Sequence, residues 1–397
     1  MNLHDTPEQA AFRADVQRWI ADTVPDHLKG RRLGIATASG PSPEEMKPLE
    51  EAMAKKGWLA PPWPPEFGGA GFDIVHMVIF EEELLKAGIR PSRNLNGINM
   101  LGPILIKYGT KEQQERFLGP TLRREIFWSQ GYSEPGAGSD LANLSLRAEV
   151  VEGGFLLNGQ KIWSSRAHFA DWIFLLARTD PAARPKQQGI SFLLVDRRSE
   201  GITVRPIPTM DDNHHFNEVF YENVFVPREN LVGELNEGWT VAKALLGYER
   251  FVQVYANPIA IAQYIDELKR HAREVAEGDG TLWDRPSLRR EVARLEMDME
   301  CMNYSRLRAL SKVSQGEAPG PETTLYKLIG SHLLQEVVDL HQRVLGPLGV
   351  LWNGAPYPEE IVEMGKHTAH IRQTTIGGGT SEVQRNIVAK RILRLPD

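Results

Sequence analysis

Tyr132-Ser133-Glu134-Pro135-Gly136-Ala137-Gly138-Ser139-Asp140 is the stretch on which the fold turns. Apolar residues at helical spacing dominate before it, and short apolar or alternating runs follow it. A loop of this composition bares backbone N–H groups. Gly136 and Gly138 permit close approach and unusual φ, and Ser133 and Ser139 add hydroxyl donors, an arrangement that suits a phosphate or an electron-rich ring edge. Standing alone, such a loop is more simply a structural β-turn. It is not a dinucleotide-binding fingerprint, because the Gly-x-Gly-x-x-Gly spacing and the surrounding βαβ unit are both missing.

Upstream, Thr6 is placed to cap a helix, Pro7 suits its first turn, and Phe12, Val16, Trp19 and Ile20 fall on one face. Residues 60–71 hold four prolines and three glycines around Trp63 and Phe67, a rigid connector rather than the interior of an element. Downstream, strands are expected at 148–151, 155–157, 172–177, 190–195, 202–207 and 218–226. Turns are expected at Gly153-Gly154 and Asn158-Gly159, and Pro227 closes the last strand. From Thr240 the helical period returns. Leu325, Leu328, Ile329, Leu333, Val337, Leu340 and Val344 make one stripe, and breaks are expected at 278–286, 315–321 and 346–358. The expected class is α+β with three domains: helical over 1–126, a β-barrel or sandwich over 127–239, and a helical bundle over 240–397.

The 397 residues, 41% hydrophobic, are enough to bury a sizeable core. A net charge of −6 gives no excess of basic groups for a nucleic-acid backbone, so nucleic acid is not an expected partner. One cysteine, Cys301, excludes an internal disulfide, and its helical run suggests a packed thiol. No apolar run has the length of a membrane span, and the acidic start lacks the basic and apolar regions of a signal peptide, so a cytoplasmic location is expected.

Three long strings now stand in register: 132–140, then Asn158-Gly159-Gln160-Lys161-Ile162-Trp163-Ser164-Ser165, then Trp172-Ile173-Phe174-Leu175-Leu176-Ala177-Arg178. With Gly109-Thr110-Lys111-Glu112-Gln113, Phe225-Val226-Pro227 and Gly379-Thr380-Ser381-Glu382-Val383-Gln384-Arg385, the chain resembles the acyl-CoA dehydrogenase family over nearly its whole length. The resemblance implies a helical N-terminal domain, a β middle domain and a C-terminal four-helix bundle, with FAD and an acyl-CoA thioester held between them. It places Gln130, Tyr132 and Ser133 at the flavin ring and its pyrimidine edge. Ser139 falls near the pyrophosphates of FAD and CoA, Trp163 and Ser165 lie against the ring, and Thr380 and Glu382 are cofactor contacts. Without the resemblance, Trp163 is more often a core anchor, and the 377–382 segment is only a capped helix start, with Thr380 or Ser381 as cap and Gln384 completing a box-like pattern.

Removing a proton beside a thioester carbonyl takes a desolvated, aimed carboxylate and donors for the developing enolate oxygen. Many relatives carry this glutamate just before the Gly-Thr of the C-terminal loop, where this chain has Gly378. A second location in the family lies on the first helix of the C-terminal domain, directly before an arginine. Here that helix reads Leu245-Leu246-Gly247-Tyr248-Glu249-Arg250, so Glu249 is the candidate base and Arg250 its neighbouring charge. Outside the family, Glu249 is an ordinary solvated or ion-paired glutamate. Gly378 still offers its backbone N–H to the thioester oxygen, and Tyr248 and the glycines at 377–379 shape a pocket suited to a bulky acyl group.

Relatives use an Arg-x-x-Phe-Gly segment to reach the FAD of a neighbouring subunit, and a Gln-x-x-Gly-Gly segment. Here the corresponding runs are Arg273-Glu274-Val275-Ala276-Glu277 and Arg343-Val344-Leu345-Gly346-Pro347. Arg273 is the candidate contact. A homo-oligomer, dimer or tetramer, is expected, and these departures leave open pairing with a homologous subunit instead. The expected activity is acyl-CoA α,β-dehydrogenation passing electrons to an electron-transfer flavoprotein or another acceptor. The alternatives are an oxidase on the same fold and a non-catalytic or half-site partner subunit. Asp211-Asp212-Asn213-His214-His215 invites a metal, but neighbours on an extended run face opposite sides, so a β-domain loop is preferred and no metal is expected. Lys29-Gly30-Arg31-Arg32, Arg123-Arg124 and Arg289-Arg290 read as solvated helix ends or faces. Ser164 and Ser165 beside His168 lack the Gly-x-Ser-x-Gly elbow of a hydrolase.

Overall fold

The computed structural model describes residues 5–29, 43–89, 96–315, 320–352 and 356–396. Its helices are α1 (Pro7–Thr23), α2 (Pro43–Lys55), α3 (Ile74–Lys86), α4 (Gly102–Tyr108), α5 (Lys111–Leu122), α6 (Gly238–Glu274), α7 (Pro286–Ser314), α8 (Thr323–Leu345), α9 (Glu359–His370) and α10 (Ser381–Ile387). Its strands are β1 (Trp128–Gly131), β2 (Arg147–Val151), β3 (Gly154–Lys161), β4 (Trp172–Arg178), β5 (Ile190–Asp196), β6 (Ile202–Ile207), β7 (Phe216–Pro227), β8 (Leu231–Val232), β9 (Ala276–Glu277) and β10 (Gly280–Thr281). The chain divides into two compact units, one of Met1–Met53, Phe72–Ser92 and Arg250–Asp397, the other of Ala54–Gly71 and Arg93–Glu249.

The first unit is helical. Thr6 caps α1 through a reciprocal box with Gln9, and Val16, Trp19 and Ile20 are buried, as the spacing requires. Phe12 is half-buried, its ring edge-on to Phe72 at 5.0 Å. Arg13 on the same helix joins Glu82 and Glu83 of α3, and Glu82 also accepts from Arg306 of α7. Side chains of α6, α7, α8 and α9 fill one apolar core, the pattern of a four-helix bundle.

Two expectations for this unit are corrected. Of the α8 stripe, Leu333, Val337, Leu340 and Val344 are buried, but Ile329 is 45% exposed, because the buried face runs through Tyr326, Leu334, Val338 and His341 instead. Cys301 is exposed, since the buried side of α7 passes through Met302 and Arg306. The β9–β10 pair, a minimal hairpin, runs from Ala276 into the break expected at 278–286. Residues 30–32, 316–319 and 353–355, on which parts of the expected basic cluster and breaks fall, lie outside the described residues.

The second unit centres on a sheet of order β6-β7-β3-β2-β4-β5-β8, with β1 added parallel to β4. All seven residues of β4 are buried. Its continuous apolar run follows from having a core on each face: Ile173, Leu175 and Ala177 enter one, Trp172, Phe174 and Leu176 the other. The first core draws nearly all its side chains from the strands themselves, which is what a barrel or sandwich interior requires. The second is shared with α4, α5 and the proline-rich connector.

Asn158-Gly159 is not the expected turn. It lies inside β3, where the register against β7 slips between Leu157 and Gly159, and Gly159 holds φ 141 as a bulge. The strand at 216–227 is also not the last, because β8 adds to β5. Gln113 of α5 donates to the carbonyls of Glu229 and Leu231 at 2.7 and 2.8 Å, fastening that final stretch.

Within the connector, Trp63 is 1% exposed and its indole N–H donates to the Ile98 carbonyl at 3.0 Å. A Cβ on Gly102 would lie 1.9 Å from this ring. The ring cannot retreat without giving up its hydrogen bond, so Gly102→Ala is expected to cost about 3 kcal/mol, read as a lowered urea midpoint at unchanged slope.

Candidate functional site

In the second unit the end of β1 and the segment after β3 run side by side. Ile162 N–H donates to Ser133 O at 2.9 Å, and Ser129 Oγ donates to Ser165 O at 2.9 Å. These bonds bring Gln130 and Ser133 next to Trp163 and Ser165, four of the residues singled out in the sequence. Gln130, Ser133 and Ser165 are half-buried, and Ser139 is exposed. Tyr132 differs. Its ring is buried edge-on to Phe174 and Phe192, so it anchors the loop to the core rather than presenting a side chain.

Trp163 is no core anchor. It is 54% exposed and sits at φ 61, a conformation costly for a bulky residue. Phe216 meets it edge-on at 6.0 Å. A large indole held outward by strained backbone is what a flat ligand face needs.

The 132–140 loop is held from below by a pair that sequence reasoning missed. Lys161 is fully buried, and its Nζ donates to Glu134 Oε1 at 2.7 Å and to Tyr132 O at 3.0 Å. Glu134 Oε1 also accepts from Leu146 N–H, and Oε2 accepts from Ser145 N–H and Oγ. Burial drives the Lys161 ammonium down to about 8, against the pull of Glu134. Burial pushes the Glu134 carboxyl up, but the Lys161 charge and the Leu146 and Ser145 amides outweigh it and leave the group below the usual carboxylate range. Glu134 and Ala137 exchange backbone hydrogen bonds of 3.0 Å each, closing Pro135-Gly136 as a tight turn. Neither Gly136 nor Gly138 takes a positive φ, so unusual backbone is not their role. A Cβ at either would meet nothing within 4 Å.

In the first unit, Gly378 and Gly379 take φ 67 and 91 just before α10. Thr380 is the cap, accepting from Val383 N–H at 3.2 Å. Gln384 does not complete a box. It is buried, and its Nε2 donates to the Gly378 and Gly379 carbonyls at 3.2 and 3.3 Å, fixing the turn from inside. Glu382 is exposed and pairs with Arg385 at 3.3 Å. Arg273 lies 4.8 Å over the Trp283 ring. Tyr248, Glu249 and Arg250 are helical within α6, and their side chains lie outside the described residues.

Two groups bear on metals. Asp211 accepts from Thr209 and Asn213, making the loop expected at 211–215. Glu267, His271 and His341 converge in the first unit. There, Arg270 is 2.8 Å from His271 Nε2, and His271 Nδ1 is 2.6 Å from His341 Nε2. That spacing is a hydrogen bond between rings, shorter than the separation of two nitrogens on one ion.

A helical part, a strand-built part with an exposed tryptophan beside a turn-rich loop, and a helical bundle match the architecture that the sequence resemblance implies for flavin-dependent acyl-thioester dehydrogenases. Family models for the N-terminal, middle and C-terminal domains of acyl-CoA dehydrogenase match residues 6–125, 129–224 and 236–393. The chain belongs to the acyl-CoA dehydrogenase family. It is 35% identical over 401 residues to acyl-CoA dehydrogenase IpdE1 of Mycolicibacterium smegmatis, covering 98% of each chain. Among solved structures it is similar to the ChsE4-ChsE5 complex from Mycobacterium tuberculosis, with TM-score 0.82, 31% identity and full coverage of both chains. It is also similar to the Tcur3481-Tcur3483 steroid ACAD, with TM-score 0.83, 28% identity and full coverage of both chains. Membership makes the chain an oxidoreductase with FAD as cofactor. The residues fit such a group: Trp163 offers an exposed aromatic face, and the 136–138 turn leaves open space. Among the described residues, no helix is long and apolar enough to cross a membrane.

Proposed function

We propose that this chain desaturates a bulky, ring-bearing acyl-CoA thioester at its α and β carbons. Glu249 takes the α proton as base while a hydride leaves the β carbon, and accepting that hydride is the chemistry FAD supplies when bound. One proton and one hydride are removed, and a carbon–carbon double bond forms. The observation that carries this reading is position 378. A glycine at φ 67 stands there and leaves no carboxylate on the C-terminal loop, which passes the role of base to the α6 glutamate next to Arg250.

Gly378 N–H serves the thioester oxygen, with its turn held by Gln384. Gln130, Ser133, Trp163, Ser165, Thr380 and Glu382 bind and orient the flavin, and Arg273 reaches toward a neighbouring subunit's cofactor. Ser139 and Tyr248 meet the acyl-CoA. The ring-bearing substrate is supported by the steroid ACAD among the similar structures. Assembly with a homologous subunit is supported by the two-component ChsE4-ChsE5 complex among the similar structures. Electrons pass on to an electron-transfer flavoprotein or a similar acceptor in the cytoplasm.

The test is a panel of straight-chain, branched and polycyclic acyl-CoA thioesters, each scored by anaerobic loss of the flavin's visible absorbance. Polycyclic thioesters are expected to bleach the flavin at least about tenfold faster than straight chains. Preference for straight chains would overturn the substrate class.

A further inference from the structure

Ser164, between the two residues assigned to the flavin face, is gripped at both ends of its peptide by one residue. Its N–H donates to Asn217 O at 3.0 Å, and its carbonyl accepts from Asn217 Nδ2 at 3.0 Å. Arg166 N–H adds a bond to His215 O at 2.8 Å. Asn217 is fully buried on β7. Because a backbone carbonyl only accepts, the Ser164 carbonyl fixes which way the Asn217 amide points. The second Nδ2 hydrogen then faces His168 Nδ1 at 3.1 Å, and Oδ1 faces His214 Nε2 at 2.7 Å.

The rings of His168 and His214 stack at 3.7 Å and 13°, so the amide and the two imidazoles form one closed set. Its proton pattern is determined. His214 donates from Nε2, and His168 accepts at Nδ1, which requires a neutral ring there.

We infer that Asn217 is a positioning residue for the flavin-facing Trp163–Ser165 segment, with His168 and His214 holding its amide in the one orientation that grips Ser164. This rests on the proposed placement of the flavin against Trp163 and Ser165.

The groups facing His168 in its unit are His214, His215, Arg166 and Asn217. Burial first, then the charges of His214, Arg166 and His215, push its imidazole below the ordinary histidine value. With a depressed folded value, the stabilisation is full above the unfolded histidine value of about 6.5 and is lost as pH falls through the folded one. Protonation puts a hydrogen on Nδ1 facing the Asn217 donor, and the amide must turn away from Ser164.

The test measures FAD release from holoenzyme across the histidine range for wild type, H168Q, N217L and W163A. Wild type is expected to release FAD faster as pH falls. H168Q retains an acceptor at every pH, so its release should lose that pH dependence, and N217L should release about tenfold faster than wild type at neutral pH. If N217L does not fold, the H168Q profile decides. W163A reports on the flavin placement itself and should also release faster. Faster release in W163A, together with an H168Q profile that follows wild type or a wild type indifferent to pH, overturns the role of Asn217 and leaves the flavin placement standing. Wild-type release in W163A overturns the placement, and this inference with it.

Discussion

Glu249→Gln is expected to purify yellow and to leave its flavin oxidised when substrate is added, with bleaching slowed roughly 10³-fold or more. The amide is nearly the size of the carboxylate and carries no basic oxygen, so packing and FAD content should be preserved while proton removal fails. The argument rests on elimination joined to position. A base must be a carboxylate placed against the α carbon, the C-terminal loop has a glycine at 378, and the α6 glutamate precedes an arginine as in the family's second arrangement. Rapid-mixing absorbance under anaerobic conditions measures the step directly. If Glu249→Gln bleaches at the wild-type rate, the base lies elsewhere. Gly378→Glu, combined with Glu249→Gln, asks the complementary question, although its φ of 67 strains any side chain.

Lys161→Met is expected to lose about 3–5 kcal/mol of stability, because it leaves the Glu134 carboxylate buried without its ammonium. Replacing Glu134 as well should not restore the loss in full. Both of its oxygens are in use, one by Lys161 and Leu146, the other by the Ser145 N–H and hydroxyl. Glu134→Gln should also destabilise, since its amide must turn NH₂ toward one of those donors. The depressed Glu134 group contributes stability that is full above the ordinary carboxylate value and lost as pH falls through its folded value. The gap between wild type and Lys161→Met should therefore narrow in acid. Urea unfolding at several pH values, with flavin content of the folded fraction, would show this. A constant gap would mean that Glu134 is not the group left unpaired.

Local pattern made much of this fold legible. The capping residue and first-turn proline of α1, the unbroken apolar run of β4 and the returning helical period after Thr240 depend on neighbours a few residues apart, and sequence spacing encodes those. Asn158-Gly159 shows the limit. The pair favours a hairpin turn, but β3 pairs with β2 on one side and β7 on the other, and this pairing carries the strand through it. Ile329 and Cys301 were misplaced because the pattern gives a helix its apolar stripe only to within a fraction of a turn.

At the site, Gln130, Ser133, Trp163 and Ser165 came from the resemblance. Lys161–Glu134 and Asn217–Ser164 join residues 27 and 53 apart, which no local spacing records. The one available signal was chemical: a lysine at an inward position of a strand whose other inward residues, Phe155 and Leu157, are apolar.

Cys301, standing exposed on α7, gives the molecule a single sulfhydryl open to solvent. A maleimide dye would therefore attach once per polypeptide, without any cysteine having to be removed first. Mixing donor-labelled and acceptor-labelled batches would then report, by energy transfer, whether two copies come together or whether a different companion takes the neighbouring place.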